Sequence, residues 1–422
     1  MQERLLHIIW QQQHFSKLDF TGTKGEKITI IKPGTLNNDA GPDFTAAELQ
    51  IDGLSWHGDV EIHTEAHFWY GHNHQHDPQY NKVILHVVYN NNGKVATRHD
   101  GTEIATLELK NYLNNSILTT HRELLNSVDP VACSAFFAQV NPLVIDSQWQ
   151  RALVERLSRK ASELITENAK AIDWQQTAYT AICKAFGFKK NSEAMLALSR
   201  NLPYKLIQKH AISLLQIEAL LFGVSGLLPA TSEDGYITKL IREWKFLAGK
   251  FRLEALSPLV WKFHRMRPAN FPTLRLAQLA TLLHQQPNLG HWLAQTPFSQ
   301  LEKDLKTSSS VYWNTHYTFS KESSLKNSRP GKASIFSIII NAALPYKAAK
   351  LLYTDNNADW SPLFDELEIL PAENNNIIRL YTSLGLKNNS AYDSQAMLEQ
   401  YANYCLPKRC LYCQVGLAIL KR

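Results

Sequence analysis

Methionine and cysteine are scarce in this chain, at four and five residues of 422. An odd number of cysteines at that low density argues against a disulfide framework. No run of roughly 18 apolar residues occurs, the length a helix needs to cross a bilayer, and this reading excludes a membrane span. The opening MQERLLHIIWQQQHF lacks the uninterrupted apolar core and small-residue cleavage site of a signal peptide, carrying Glu3, His7 and several glutamines instead. Together these absences predict a cytoplasmic protein with no membrane partner. There is also no large excess of charge. The net charge of +6 and pI near 8.9 are compatible with a polyanionic partner but fall short of a dedicated nucleic-acid tail. No fixed-period repeat is present, which excludes a solenoid.

What is there divides into two textures. At 422 residues the chain is too long for one ordinary core. After a helix over residues 1–15, short β-type runs follow, bounded by Gly, Asn, Asp and Pro: KITIIKP, FTAAELQID, LSWHGDVEIH, KVILHVVYN and EIATLELK. VILHVVY is apolar almost throughout, as a strand buried on both faces would be. From about Asn141 apolar residues recur every three or four positions, in QWQRALVERLSRKASELITENAKAI, SLLQIEALLFGVSG and TLRLAQLATLLHQQP, the pattern of amphipathic helices. The Ser- and Lys-rich stretch 305–330 reads as an exposed connection. The expected architecture is an α/β domain over 1–125, then a mainly α-helical domain over 126–422.

The candidate chemistry lies in GPDFTAAELQIDGLSWHGDVEIH. Alternate side chains of a strand share a face, so Asp59, Glu61 and His63 line one side while Val60 and Ile62 enter the core. Ionisable groups in register on a buried strand are rarely idle. Asp43, at a Gly41-Pro42 turn into the neighbouring strand, is expected to come near Glu61. Two such carboxylates make a hard oxygen site for Mg²⁺ or Mn²⁺, with Asp59 as a further ligand or as a support for the imidazole. His63 would orient a water or accept its proton.

These residues resemble the PD-(D/E)XK, or restriction-endonuclease-like, nuclease superfamily. That signature has an Asp, a gap, then Glu-x-Lys on the next strand. Here the gap is 17 residues and His63 occupies the lysine position. The resemblance implies a mixed sheet with flanking helices and metal-dependent hydrolysis of phosphodiester bonds in DNA, or in RNA. The whole chain also resembles the DUF2851 family of uncharacterised bacterial proteins, through GPDF, GDVEIH, HDPQYNKVILHVVY, RPANFPTLRLAQLA and YCLPKRCLYCQVG. That resemblance implies no activity. A catalytically inactive nucleic-acid-binding or scaffold protein of the same fold stands as the alternative.

Seven histidines fall between His57 and His86. His72, His74 and His76 alternate in HNHQH. They admit a second alternative, an imidazole-ligated metalloenzyme of another class. In the nuclease reading they rim the cleft and contact nucleic acid, as would Arg265 and Arg267 in FHRMRPANFPTLR. His86, inside VILHVVY, reads as a core histidine, and the Arg151–Lys160 face as solvated. Near the C-terminus, Cys405, Cys410 and Cys413 lie within nine residues. That spacing suits a structural Zn²⁺ or an iron–sulfur centre, with Cys133 as the fourth ligand and Cys183 left in the core.

Overall fold

The computed structural model describes residues 2–15, 19–113, 115–166, 172–319, 321–324, 328–355 and 358–421. The chain divides into two units: residues 1–149 with 400–422 and the short piece 383–385, and residues 150–382 with 386–399. The dividing line thus falls at 149/150 rather than at 125/126, and the C-terminal segment returns to the first unit.

The first unit opens with α1 (Glu3–Gln12), whose Leu5, Leu6, Ile9 and Trp10 are fully buried. The Trp10 indole N–H donates to the Pro33 carbonyl at 2.9 Å, tying the helix to the sheet region. The strands are β1 (Phe20–Thr21), β2 (Lys27–Lys32), β3 (Thr35–Leu36), β4 (Phe44–Ile51), β5 (Leu54–Glu65), β6 (Val83–Asn90) and β7 (Ala105–Glu108). They form one mixed sheet in the order β1-β2-β4-β5-β6-β7, with β3 on the edge of β4. β4 and β5 are an antiparallel hairpin closed by Asp52-Gly53, both with positive φ, as a tight hairpin turn demands. β5, β6 and β7 run parallel. A parallel pair needs a crossover, and here it carries α2 (Phe68–Gly71) and the 3₁₀ turns His74–His76 and Pro78–Lys82. The first six residues of β6 are buried, as its apolar run predicts.

Two irregularities shape the middle of the sheet. β4 bulges between Phe44 and Ala47, where Ala46 takes φ 55°. The Asp59 carboxylate accepts the Ala46 N–H at 3.2 Å and so holds the bulge. Gly58 sits where β5 begins to pair with β6, and a Cβ there would collide with the Lys82 carbonyl and the Ile84 side chain.

The second unit is helical. α3 (Asn115–Asn126) still belongs to the first unit, and the division between the units falls inside α4 (Pro142–Thr166). Then come α5 (Trp174–Phe186), α6 (Phe188–Asn201), α7 (Tyr204–Lys209), α8 (Leu214–Ser225), α9 (Gly235–Phe251) and α10 (Pro272–Gln285). The expected helices appear where the periodicity places them, although residues 167–171 of the first lie outside the described residues. α8 starts on Ser213, whose hydroxyl accepts the Gln216 N–H, and stops at Gly226 with φ 71°. The stretch 305–330 is not simply an exposed connection: residues 320 and 325–327 lie outside the described residues, and the rest belongs to this unit and includes the fully buried Trp313.

Lys332–Thr354 forms a 23-residue helical run whose most apolar 18 residues have a mean hydropathy of 1.4, interrupted by a π turn at Ile339–Ala343. By length and composition it could cross a membrane, which counting unbroken apolar runs had excluded. Its most apolar window is 67 % buried within the chain, the disposition of a core helix.

Gly58→Ala should destabilise the first unit by about 1–3 kcal/mol, the usual cost of forcing an atom into packed backbone. A urea midpoint equal to wild type would show that the start of the β5–β6 pairing yields freely.

Candidate metal centre

The hairpin brings Asp43 and Glu61 together. Beyond the bulge Phe44 pairs with Val60, so Asp43 stands beside Glu61. The Asp43 N–H donates to Glu61 Oε2 at 3.0 Å, and the Ile62 N–H donates to Asp43 Oδ2 at 2.9 Å. Hydrogen bonds to carboxylates are each worth roughly 1.5–3 kcal/mol, and this reciprocal pair fixes both acids at the end of β4.

Imidazoles complete the group. His63 follows Glu61 on the same side of β5, and its Nε2 lies 3.4 Å from Glu61 Oε1. His74 Nε2 is 3.2 Å from the same oxygen. His63 Nε2 is also 3.2 Å from His72 Nδ1, and His63 Nδ1 is 2.9 Å from His86 Nε2. From α1, His7 Nε2 approaches Asp43 Oδ2 to 3.3 Å. Aromatic packing sets His74, whose ring stacks on Tyr80 at 3.8 Å between centroids and meets Trp69 edge-on at 5.4 Å. His63, His72 and His74 each offer a ligand nitrogen, all within 4.8 Å of one another.

Burial governs the charges. The Glu61 side chain is 6 % exposed and that of His63 1 %. Desolvation, reinforced by the neighbouring Asp43 carboxylate, pushes the Glu61 carboxyl up to about 9. Desolvation and the surrounding imidazoles push His63 down to about 2, and desolvation with His74 pushes His86 down to about 3. Burial likewise lowers His74 and raises Glu3. At neutral pH the interior of the site therefore holds a protonated Glu61 and neutral His63 and His86. At the site three buried imidazole nitrogens, His7 Nε2, His74 Nε2 and His86 Nδ1, make no aligned hydrogen bond, the first two only lying close to Asp43 and Glu61. His63, His72 and His74, with the Glu61 carboxyl beside two of them, are a donor set that fits a divalent cation. The 3.2 Å and 3.4 Å spacings match the roughly 3.4 Å edge of a tetrahedron with bonds of 2.0–2.1 Å.

Other expected residues stand elsewhere. Asp59, on the same strand face, spends its carboxylate on the bulge and lines an open cleft of about 450 Å³ with Asn37, Gly41, Pro42, Gln79 and Lys82. His76 is exposed and outside the histidine trio, because HNHQH forms a helix end and a 3₁₀ turn rather than a strand. Arg265 and Arg267 are exposed on a loop of the second unit, whereas neighbouring Arg275 is buried and bonded to Gln278, Asn270 and Ser334. The Arg151–Lys160 face is not simply solvated, since Arg156 and Arg159 pair with the buried Glu399. His86 is buried as expected, but one of its nitrogens serves His63. Glu3 and His7 were missed; their only trace in the sequence is the one-turn spacing of an acid and a histidine in the helix ERLLHIIWQQ.

The four predicted cysteines do come together: Cys133, Cys405, Cys410 and Cys413 line one small cavity with Gln400, Tyr404 and Gly416. Cys183 is buried in α5, away from them.

The family model described as "Protein of unknown function (DUF2851)" matches residues 3–376. The chain belongs to the DUF2851 family. That match takes in the whole Asp43–Glu61–histidine group and stops short of the three C-terminal cysteines. No curated protein and no solved structure matches the chain.

Glu61 gives the metal-free protein a signed pH dependence. Its pKa is about 9 folded against 4.5 unfolded, so the folded state binds the extra proton and stability falls as pH rises through 4.5–9. His63 and His86 act with the opposite sign in a lower window that overlaps it between pH 4.5 and 6.5: unfolding lets them protonate, so stability is lost as pH drops from 6.5 toward 3. Glu61→Gln removes only the first effect. Relative to wild type, the variant's stability should therefore gain by up to about 1.4 kcal/mol per pH unit across the window. Parallel urea midpoints for the two proteins from pH 5 to 9 would contradict a proton-bearing Glu61.

Proposed function

We propose that the first unit is a divalent-metal-dependent nuclease that hydrolyses phosphodiester bonds, with DNA the first substrate to try and RNA the second. The observation that carries this reading is the reciprocal bonding of Asp43 and Glu61 with His63 in register beside them, the arrangement that the PD-(D/E)XK resemblance requires. Asp43 and Glu61 would hold the ion, aided by His72 and His74. Imidazole donors favour Mn²⁺ over Mg²⁺ in that position. A bound divalent ion supplies a polarised phosphoryl oxygen and a water of lowered pKa. His63 stays neutral through the physiological range, and its Nε2, engaged by His72 in the metal-free protein, would take a hydrogen bond from the attacking water once His72 turned to the ion. The open cleft beside Asp43, with Lys82 on its rim, offers a path for a phosphate backbone.

A second reading has its own support. The His63–His72–His74 trio with Glu61 is a nitrogen-rich set that also suits Zn²⁺ or Fe²⁺, which would make the protein a metalloenzyme of another class.

Purified protein with Mn²⁺ should cleave single- or double-stranded DNA or RNA. Glu61→Gln and Asp43→Asn should each lower the rate at least about 100-fold, the scale on which removal of one essential polar catalytic group registers, with the far-UV spectrum unchanged. Binding without cleavage across Mg²⁺, Mn²⁺, Zn²⁺ and Fe²⁺ would favour the inactive binding protein. Tight uptake of Zn²⁺ or Fe²⁺, abolished by His72→Ala and accompanied by no nucleic-acid binding, would favour the second reading.

A further inference from the structure

Outside the first site, the most sharply built cluster is the thiol group at the C-terminus. We propose that Cys133, Cys405, Cys410 and Cys413 bind one thiolate-ligated metal centre, of zinc or of iron, which anchors the C-terminal segment to the first unit. These residues come from two stretches separated by more than half the chain, yet all four line one cavity of about 20 Å³. A void of that size admits a water or an ion but no organic ligand. None of the four is in a disulfide.

A second, independent observation concerns the polarity of the surroundings. Gln400 is buried, and its Nε2 donates to Cys413 Sγ at 3.3 Å and to Cys405 Sγ at 3.7 Å. The opposite end of that amide is already committed: Gln400 Oε1 accepts from Gln148 Nε2 at 2.8 Å, and Gln148 Oε1 accepts the Gln414 N–H at 2.9 Å. This chain of amides leaves Gln400 no choice but to aim its donors at sulfur. Thiols are poor acceptors, whereas metal-bound thiolates need such donors from their surroundings. The backbone closes the loop as tightly, for Gly416 packs on the Cys410 carbonyl where a Cβ would collide. Lys408 Nζ donates to the Leu125 carbonyl at 2.7 Å, fastening the same loop to the end of α3.

Binding releases the thiol protons to solvent and forms four metal–sulfur bonds. An iron–sulfur centre needs inorganic sulfide as well. No three of the sulfurs lie mutually within 4.8 Å. A lone zinc with bonds of about 2.3 Å sets its sulfurs about 3.8 Å apart and would draw the loop inward. An iron–sulfur cluster holds its thiolates further apart, is larger than the void of about 20 Å³, and would push the loop outward.

The test uses the full chain purified without oxygen. Zinc, iron and acid-labile sulfide are measured per chain, then again in Cys133→Ser, Cys410→Ser and Cys183→Ser. The expected result is about one zinc, or iron with matching sulfide and a brown colour. Cys133→Ser and Cys410→Ser should lose it, and Cys183→Ser should keep it. The C-terminal segment should become protease-sensitive whenever the metal is lost, since such a site forms only on folding. Should the variants misfold, metal-stripped wild type is titrated with Co²⁺, which gives intense visible bands when bound by thiolates in a tetrahedron. Wild type lacking metal and taking up neither Co²⁺ nor iron with sulfide would overturn the proposal. So would a disulfide among the four, or a folded Cys133→Ser that keeps its full metal content.

Discussion

Asp43 and Glu61 can face one another only because each is tied to the other's strand, the first through the Ile62 N–H and the second through the Asp43 N–H. Almost everything at the centre follows from that reciprocal link. It needs β4 and β5 adjacent, which the Asp52-Gly53 turn secures, and it needs Asp43 brought forward past the bulge at Ala46, which Asp59 secures. With the two acids in place, His63 follows automatically two residues on. The parallel pairing of β5 and β6 then sets Glu61 opposite His86.

The arrangement works against the stability of the metal-free fold. Two carboxylates and a set of imidazoles are drawn in from water, and the carboxylates face histidines, His7, His63 and His74, rather than Lys or Arg. Burying such groups costs free energy unless a compensating charge arrives. A proton on Glu61 is one form of compensation and a cation is another. Groups that strain a fold in this way are more often retained for chemistry than for packing.

Much of this was legible in the residues, and the failures have physical causes. The hairpin, the buried β6 strand and the Asp43–Glu61–His63 group all follow from local turn chemistry and two-residue alternation, which survive into the folded state. Convergence of the cysteines was readable because thiols are rare and three within nine residues need a reason. Glu3 and His7 were not readable, since only the docking of α1 on the sheet brings them to Asp43. HNHQH misled for a related reason: alternation has a fixed geometric meaning on a strand and none on a turn. The pairing of Arg156 and Arg159 with Glu399 likewise depends on partners some 240 positions away.

The first unit is assembled from both ends of the chain, residues 1–149 and 400–422. During synthesis its sheet and Cys133, one of the four thiols, emerge early, while Gln400 and the remaining three cysteines emerge only after the whole helical region. A ribosome adding roughly 5–20 residues per second imposes a delay of tens of seconds between the two events. Through that interval Cys133 waits without its partners, and the unit is complete only once residues 400–422 have joined residues 1–149. A chain lacking residues 400–422 keeps Asp43 and Glu61 but leaves Cys133 without the three thiols that share its cavity.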